Sequence, residues 1–297
     1  MNGSEPKLHH YVPQFHLRRF ANDTGHLWAW NKHTDAVFPI SPGGIAAEKH
    51  FYKMADLAEQ GHDPLTMEKQ FSEIEGDTSP ITDQWLGWLR EGKTGDKIDI
   101  PIVNREIVSQ YIALQFLRTA DARDILSALI EKPEGAPRPS ADEQRRAHTS
   151  LLWDLGLVKS LSDQIRKSIW IFGRNKTSTP FLTSDNPVIF KTSDNKMWLK
   201  VGVVSPDTYV TFPLAPDIVM YCYQRRGPYG KLGKFNDTLS PVKFTKRLVE
   251  SDNSGQVFKA TRFVISPTDD FTFARGFLQY AKSQGEEPTL AALERLS

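Results

Sequence analysis

The stretch Thr179-Pro180-Phe181-Leu182-Thr183-Ser184-Asp185-Asn186-Pro187-Val188-Ile189-Phe190 marks where the chain changes its periodicity. Upstream of it, apolar residues recur at helical spacing. From Thr179 onward the runs are short, rich in β-branched and aromatic residues, and separated by turn formers, which is the pattern of strands. Pro180 to Thr183 and Pro187 to Phe190 read as short strands around a Thr-Ser-Asp-Asn-Pro turn. Thr208 to Leu214 and Ile218 to Gln224 read as a strand pair across Ala215-Pro216-Asp217. Gly227 to Gly233 is a loop. Ser240-Pro241 starts a helix reaching about Asn253, and Val257 to Ile265 closes with a strand. A further helix is expected from Pro288.

Working back from Thr179, the middle of the chain is helical. Asp63-Pro64 has the form of an N-cap followed by a first-turn proline. Met67, Phe71 and Ile74 share one helix side. Gly76 and Pro80 are expected to interrupt that helix, with a restart carrying Ile81, Trp85 and Trp88. Asp99-Ile100-Pro101 opens a longer helix to about Ile130. Its apolar face holds Val103, Ile107, Tyr111, Leu114 and Leu117, with Arg118 projecting from within that face and Gln115 on its flank. Glu131 to Ala141 reads as a loop. Another helix runs from Ala141 to about Ile171, with a break at Gly156.

The start of the chain returns to β patterning. His26 to Asn31 alternates, and Ala36 to Ile40 is its hairpin partner, with Pro39 placing that strand at an edge. Such a hairpin is too small to stand alone and must dock on the rest. The expected fold class is therefore α+β: an N-terminal β-hairpin, a helical middle and a C-terminal antiparallel sheet forming one integrated domain. Its parts are the motif arm and hairpin (8–52), the helical part (63–173) and the mostly β part (179–282).

The 297 residues are 39% hydrophobic and 25% charged, with a net charge of +1, which gives no whole-protein field of the kind that coats nucleic acid. The short basic clusters Arg18-Arg19, Arg145-Arg146, Arg225-Arg226 and Lys243 to Arg247 read as solvated surface. The single cysteine, Cys222, excludes an internal disulfide framework. No apolar run reaches the roughly 20 residues of a membrane span, and Met1 to Lys7 has no signal-peptide core. A cytoplasmic location and no membrane partner are expected.

Chemistry concentrates in two places. Leu8-His9-His10-Tyr11-Val12-Pro13-Gln14-Phe15-His16-Leu17-Arg18-Arg19-Phe20 places three histidines, two arginines and three aromatics in thirteen residues. Pro13 drives Val12 to extended backbone. His9 and His10 then point to opposite sides, so they do not share one metal. One can face a site as base, proton donor or phosphate contact while the other packs. The second place is Thr183 to Pro187. Asp185 could bind a metal, orient a histidine or receive Arg118, or it could simply close an Asx turn. Arg118 is either ion-paired, to Asp185 or a Glu, or an anion-binding group. Glu68 and Glu75 lie two turns apart on one helix side.

The candidate catalytic residues are thus His9, His10, Arg118 and Asp185, and the candidate substrate-binding residues Tyr11, Gln115, Ser184 and Asn186. A divalent metal is a candidate cofactor, with its ligands unassigned. The expected ligand is a nucleotide or nucleic acid. No Walker A loop, His-Glu-x-x-His run or Cys-x-x-Cys pair is present. The opening motif superficially resembles the His-His-x-x-Pro runs of His-Asn-His nucleases, but the His26/His33 hairpin lacks the helix that follows in those enzymes.

His9-His10-Tyr11-Val12-Pro13, Glu48 to Tyr52, Glu68 to Glu75, Gln115-Phe116-Leu117-Arg118-Thr119, Phe181 to Pro187 and Lys259-Ala260-Thr261-Arg262 together resemble a bacterial domain family of unknown function. The resemblance covers most of the chain and implies membership, with no established activity to carry over. Two function classes fit the residues. One is a hydrolase of phosphodiesters or nucleotides using His, Asp and Arg. The other is a non-enzymatic ligand- or partner-binding regulatory module in which the same residues form a structural polar core.

Overall fold

Strands from opposite ends of the chain share one sheet. The computed structural model describes residues 8–49, 66–119, 154–192 and 208–283, with Ser140, Glu143 and Leu152. The first half contains β1 (Leu8–His10), α1 (Gln14–Arg18), β2 (Leu27–Asn31), β3 (Val37–Ile40) and β4 (Ala47–Lys49), then α2 (Thr66–Glu91) and α3 (Ile102–Leu117). The second half contains α4 (Leu155–Lys167), β5 (Ile169–Arg174), β6 (Thr183–Ser184), β7 (Ile189–Thr192), β8 (Thr208–Ala215) and β9 (Ile218–Tyr223). It ends with β10 (Thr238–Leu239), α5 (Lys246–Lys259), β11 (Phe263–Ser266) and α6 (Thr272–Ser283). The expected α+β class is what the chain adopts. The readings at Asp63-Pro64, His50 to Tyr52, Glu131 to Pro139 and Pro288 fall outside the described residues.

The N-terminal hairpin β2–β3 forms as expected, and β2 continues through β11 to β6 in an antiparallel sheet of order β3-β2-β11-β6. The larger sheet has order β10-β5-β9-β8-β7 and is antiparallel except at β10–β5. Alternation sorts its side chains onto two faces. Trp170, Phe172, Val210, Phe212, Met220 and Cys222 enter the main core with helices α2 to α4. Tyr209, Val219 and Tyr221 form a second cluster with Val249 of α5. Both faces are covered, so β8 is buried along its whole length. Among the described residues no helix is long and apolar enough to cross a membrane.

Several element boundaries differ from the sequence reading. Ile169 opens β5 and does not belong to the preceding helix, which stops at Lys167. A strand buried on both faces is a continuous apolar run, and periodicity does not separate it from a buried helix end. The α4 helix faces the core through Val158, Leu161 and Ile165, while Gly156 sits in its first turn and Asp154 caps it. Helix α3 ends at Leu117 with Arg118 as its C-cap, and Val103 is 58% exposed and outside the core face. Helix α5 starts at the Thr245 cap and runs to Lys259, because Val249, Asn253, Gln256 and Val257 share its inward side. The closing strand is correspondingly shorter, and α6 was not foreseen.

The expected break at Gly76 and Pro80 does not occur: α2 runs continuously through Pro80. Proline in a helix interior removes one N–H and crowds the preceding turn. Carbonyls in this turn find other donors. The Thr82 hydroxyl reaches the carbonyls of Thr78 (2.8 Å) and Ser79 (3.2 Å), and Arg19 Nη2 also reaches that of Ser79 (3.3 Å). Arg19 further pairs with Asp83 at 2.8 Å, docking the N-terminal arm on the proline turn. Since Pro80 is exposed, Pro80→Ala restores a backbone donor with no loss of core packing. It should raise stability by about 1–3 kcal/mol in thermal or urea unfolding.

Candidate functional site

Pro13 and the strand pairing of β1 with β4 hold the opening motif extended, with His9 opposite Glu48 and His10 opposite Ala47. The amides of Tyr11 and Val12 both donate to the Ala46 carbonyl (3.0 and 3.4 Å), and Ala46 itself has a left-handed φ of 53°. The two histidines point to opposite sides, as expected of neighbours on a strand. His9 is fully buried and His10 is half-buried.

His10 Nε2 lies 3.1 Å from the Gly43 carbonyl, so that nitrogen carries the proton and donates. Its Nδ1 has no protein partner among the described residues. Burial lowers the His10 pKa; the Gly43 carbonyl and Glu75 oppose this, and Arg118 assists it. His9 Nδ1 lies 3.9 Å from Glu68 Oε2. Partial burial pushes the Glu68 carboxyl up to about 7, against the pull of Arg118. His9 and Glu68 thus meet between the arm and α2, while His10, on the other side of β1, feels the charges of Glu75 and Arg118.

Arg118 ties these groups to α3. Its Nη1 pairs with Glu75 Oε1 at 2.7 Å, and its guanidinium lies 5.2 Å from the Phe71 ring centre. Its Nε reaches the Tyr11 carbonyl and Gln115 Oε1, each at 3.1 Å. Gln115 Nε2 donates to the same Tyr11 carbonyl at 2.9 Å. Gln115 and Arg118 are three residues apart, so one turn of helix presents both to a single carbonyl. Of the partners weighed for Arg118, Glu75 is the one it meets.

Asp185 faces elsewhere. One oxygen accepts from the amide of Thr261 (2.9 Å), and the other from those of Arg262 (2.6 Å) and Phe263 (2.9 Å). Burial raises its pKa to about 6, opposed by those amides and by Lys32. Ser184 Oγ donates to Gln256 Oε1 at 2.8 Å and accepts from the Asn186 amide at 3.1 Å. The Asn186 side chain donates to the Lys259 carbonyl at 3.4 Å. Thr183 to Asn186 therefore clasp β11 and α5.

The two motif stretches do meet, through a residue the sequence reading left out of the site. His16 Nε2 lies 3.0 Å from Thr183 Oγ1, and its ring stacks on Phe212 with centroids 5.1 Å apart. Complete burial holds His16 well below the ordinary imidazole pKa, hence neutral. The sequence did hold a signal, since His16 falls on the inward side of the short helix beside Leu17. A second network was also missed. Lys191 lies 3.1 Å from Ser251 Oγ and 4.0 Å from Asp252, and the Tyr221 hydroxyl donates to Asp252. Burial pushes Asp252 up to about 6, with Lys191 pulling the other way.

Among the described residues, no group of three or more His, Cys, Asp or Glu side chains is arranged to hold a metal ion.

Two outcomes follow from these contacts. Asp185→Ala orphans three backbone amides and should lower stability by about 2–5 kcal/mol in urea denaturation, whereas Asp185→Asn keeps one acceptor and loses less. For Glu68, the folded value near 7 lies above the ordinary 4.5. The folded chain then holds a proton that the unfolded chain has lost, so stability falls as pH rises from 4.5 to 7 and stays reduced above. Because Glu68 is partly solvated, Glu68→Gln should stabilise by about 1–2 kcal/mol at pH 8, with the gain vanishing near pH 4.5 in a melting series.

Neither a curated protein nor a solved structure matches the chain. A family model does, over residues 8–270 of the 297, a span that takes in the arm, α2, α3 and the Asp185 clasp. The chain belongs to the family described as Protein of unknown function (DUF4238).

Proposed function

We propose that the arm and α2 form a hydrolytic acid–base centre acting on an anionic phosphoester, either a nucleotide or a phosphodiester. The observation that carries this reading is the His9–Glu68 contact, together with a His10 ring whose Nε2 is fixed on the Gly43 carbonyl and which, like Glu68, lies in the field of Arg118 and Glu75. Fixing Nε2–H leaves Nδ1 as the acceptor for a proton from attacking water. With its carboxyl pushed up to about 7, Glu68 can hold a proton near neutrality and deliver it to the leaving oxygen. His9 lines the wall behind that carboxyl.

The substrate class follows from charge. Arg18 is exposed, and its Nη2 donates to Gln14 Oε1 at 3.1 Å. The Gln14 amide lies within 4 Å of where a side chain at Gly43 would begin, so Arg18 stands near the turn that holds His10. An exposed guanidinium there suits an anionic group. Arg118, paired with Glu75 and bonded to the arm at the Tyr11 carbonyl, is in this reading a positioning residue, and Asp185, Ser184 and Asn186 shape the scaffold.

A second reading, that of a non-enzymatic binding module with a structural polar core, is favoured by the protein partners that Gln115, Arg118 and Asp185 each find. Hydrolysis of nucleotides and of single- and double-stranded nucleic acids separates the two, with and without Mg²⁺ or Mn²⁺. The acid–base centre requires that His10→Ala and Glu68→Gln each lower kcat by about 100-fold or more. It also requires an optimum between the lowered His10 pKa and about 7, with activity lost on the alkaline side as Glu68 deprotonates. No turnover on any substrate, with His10→Ala and Arg118→Ala changing only the melting temperature, supports the binding module.

A further inference from the structure

At the far end of α2 from Glu68, a cleft of 580 Å³ opens between the last turn of that helix, the end of β5 and the segment leading into α5. Arg90, Lys93, Arg174, Lys176 and Lys243 line it, against one carboxylate, Glu91. The whole chain carries only +1, so this concentration of charge is local. It lies about 22 Å along the helix from Glu75, by the rise of 1.5 Å per residue, and is distinct from the acid–base centre.

The cleft is built from fixed groups. Arg90 Nε and Nη2 bond the two oxygens of Asp217 at 2.7 and 2.9 Å. Arg174 Nη1 donates to the carbonyls of Leu89 (2.9 Å) and Arg90 (2.6 Å), which offsets the negative end of α2. Its Nε and Nη2 have no acceptor among the described residues. Lys93, Lys176 and Lys243 are exposed and lack a carboxylate partner among the described residues. The apolar wall is Phe244, packed edge-on against Phe181 at 5.4 Å between ring centres. Its ring covers Gly173 so closely that a Cβ there would lie 2.6 Å from Cε2 and Cζ.

Convergent cations suit phosphate, a held aromatic ring suits a planar base, and the volume falls within the range of ligand pockets, roughly 300–1,000 Å³. We propose that this cleft binds a nucleoside polyphosphate, with its phosphates among Lys93, Arg174, Lys176 and Lys243 and its base against Phe244.

Calorimetric titration of the full chain with ATP, tripolyphosphate, adenosine and a short DNA duplex at low salt tests this. ATP should bind most tightly, tripolyphosphate more weakly and adenosine not measurably. The double variant Lys176→Glu/Lys243→Glu should weaken ATP binding by about tenfold or more at an unchanged melting temperature. Phe244→Leu should weaken ATP but not tripolyphosphate. Lys176→Glu/Lys243→Glu should leave any hydrolysis by the acid–base centre unchanged, which separates this site from that centre. Absence of ATP binding, ATP binding indifferent to the lysine reversals, or preference for the duplex over ATP would overturn the proposal.

Discussion

A buried guanidinium sets the terms for the rest of the molecule. Arg118 is 2% exposed, and removing such a charge from water costs several kcal/mol unless it is paired and hydrogen-bonded. Glu75, Gln115 and the Tyr11 carbonyl supply those partners. To do so, α2, α3 and the N-terminal arm must each lie in one position. The arm is held there as well by its pairing with β4, by Arg19 on Asp83 and by the buried Val12, Leu17 and Phe20. The pairing with β4 sets its register, and Arg118 joins the Tyr11 carbonyl beside His10 to a helix more than 100 residues away in sequence.

The second constraint is the large sheet covered on both faces. Its inward face packs against three helices, where Trp85 meets Trp170 and Phe172 edge-on at 5.9 and 6.0 Å. Its other face carries tyrosines and faces α5. Polar groups at the seams are met by side chains as much as by backbone. Asn253 accepts from the Leu182 amide and donates to the Pro180 carbonyl, and Gln256 bridges Ser184 and the Pro187 carbonyl. One helix thus satisfies an irregular segment that would otherwise leave buried amides and carbonyls unpaired.

What was legible in the sequence was whatever depends on local order. The β2–β3 hairpin was legible from alternation and turn residues, the opposite orientation of His9 and His10 from Pro13 and strand geometry, and the α+β class from the change of texture at Thr179. The misreadings share a physical origin. At Ile169 a strand buried on both faces carries no alternation. At Pro80 a helix that propensity alone would break runs on, with the Thr82 hydroxyl and Arg19 donating to carbonyls of the same turn. Arg118 and Asp185 each looked like half of a pair, because a carboxylate and a guanidinium in apolar surroundings both need a partner. Sequence does not reveal that Asp185 is satisfied by three consecutive amides while Glu75 waits one helix away. His16, the true bridge between the two motifs, was obscured by the more conspicuous histidines before it.

The pairing of β2 with β11 bears on how the protein can be made. Asn31 lies opposite Phe263, and Lys32 reaches the carbonyls of Val257 and Ala260 across 225 and 228 residues. During synthesis the hairpin leaves the ribosome long before its partner exists. For most of translation β2 is then an open edge carrying Leu27, Trp28 and Trp30, the kind of surface that recruits a wrong strand or a chaperone. The small sheet can close only once Phe263 to Ser266 have emerged, and a ribosome stalled before Phe263 would release a product with that edge exposed.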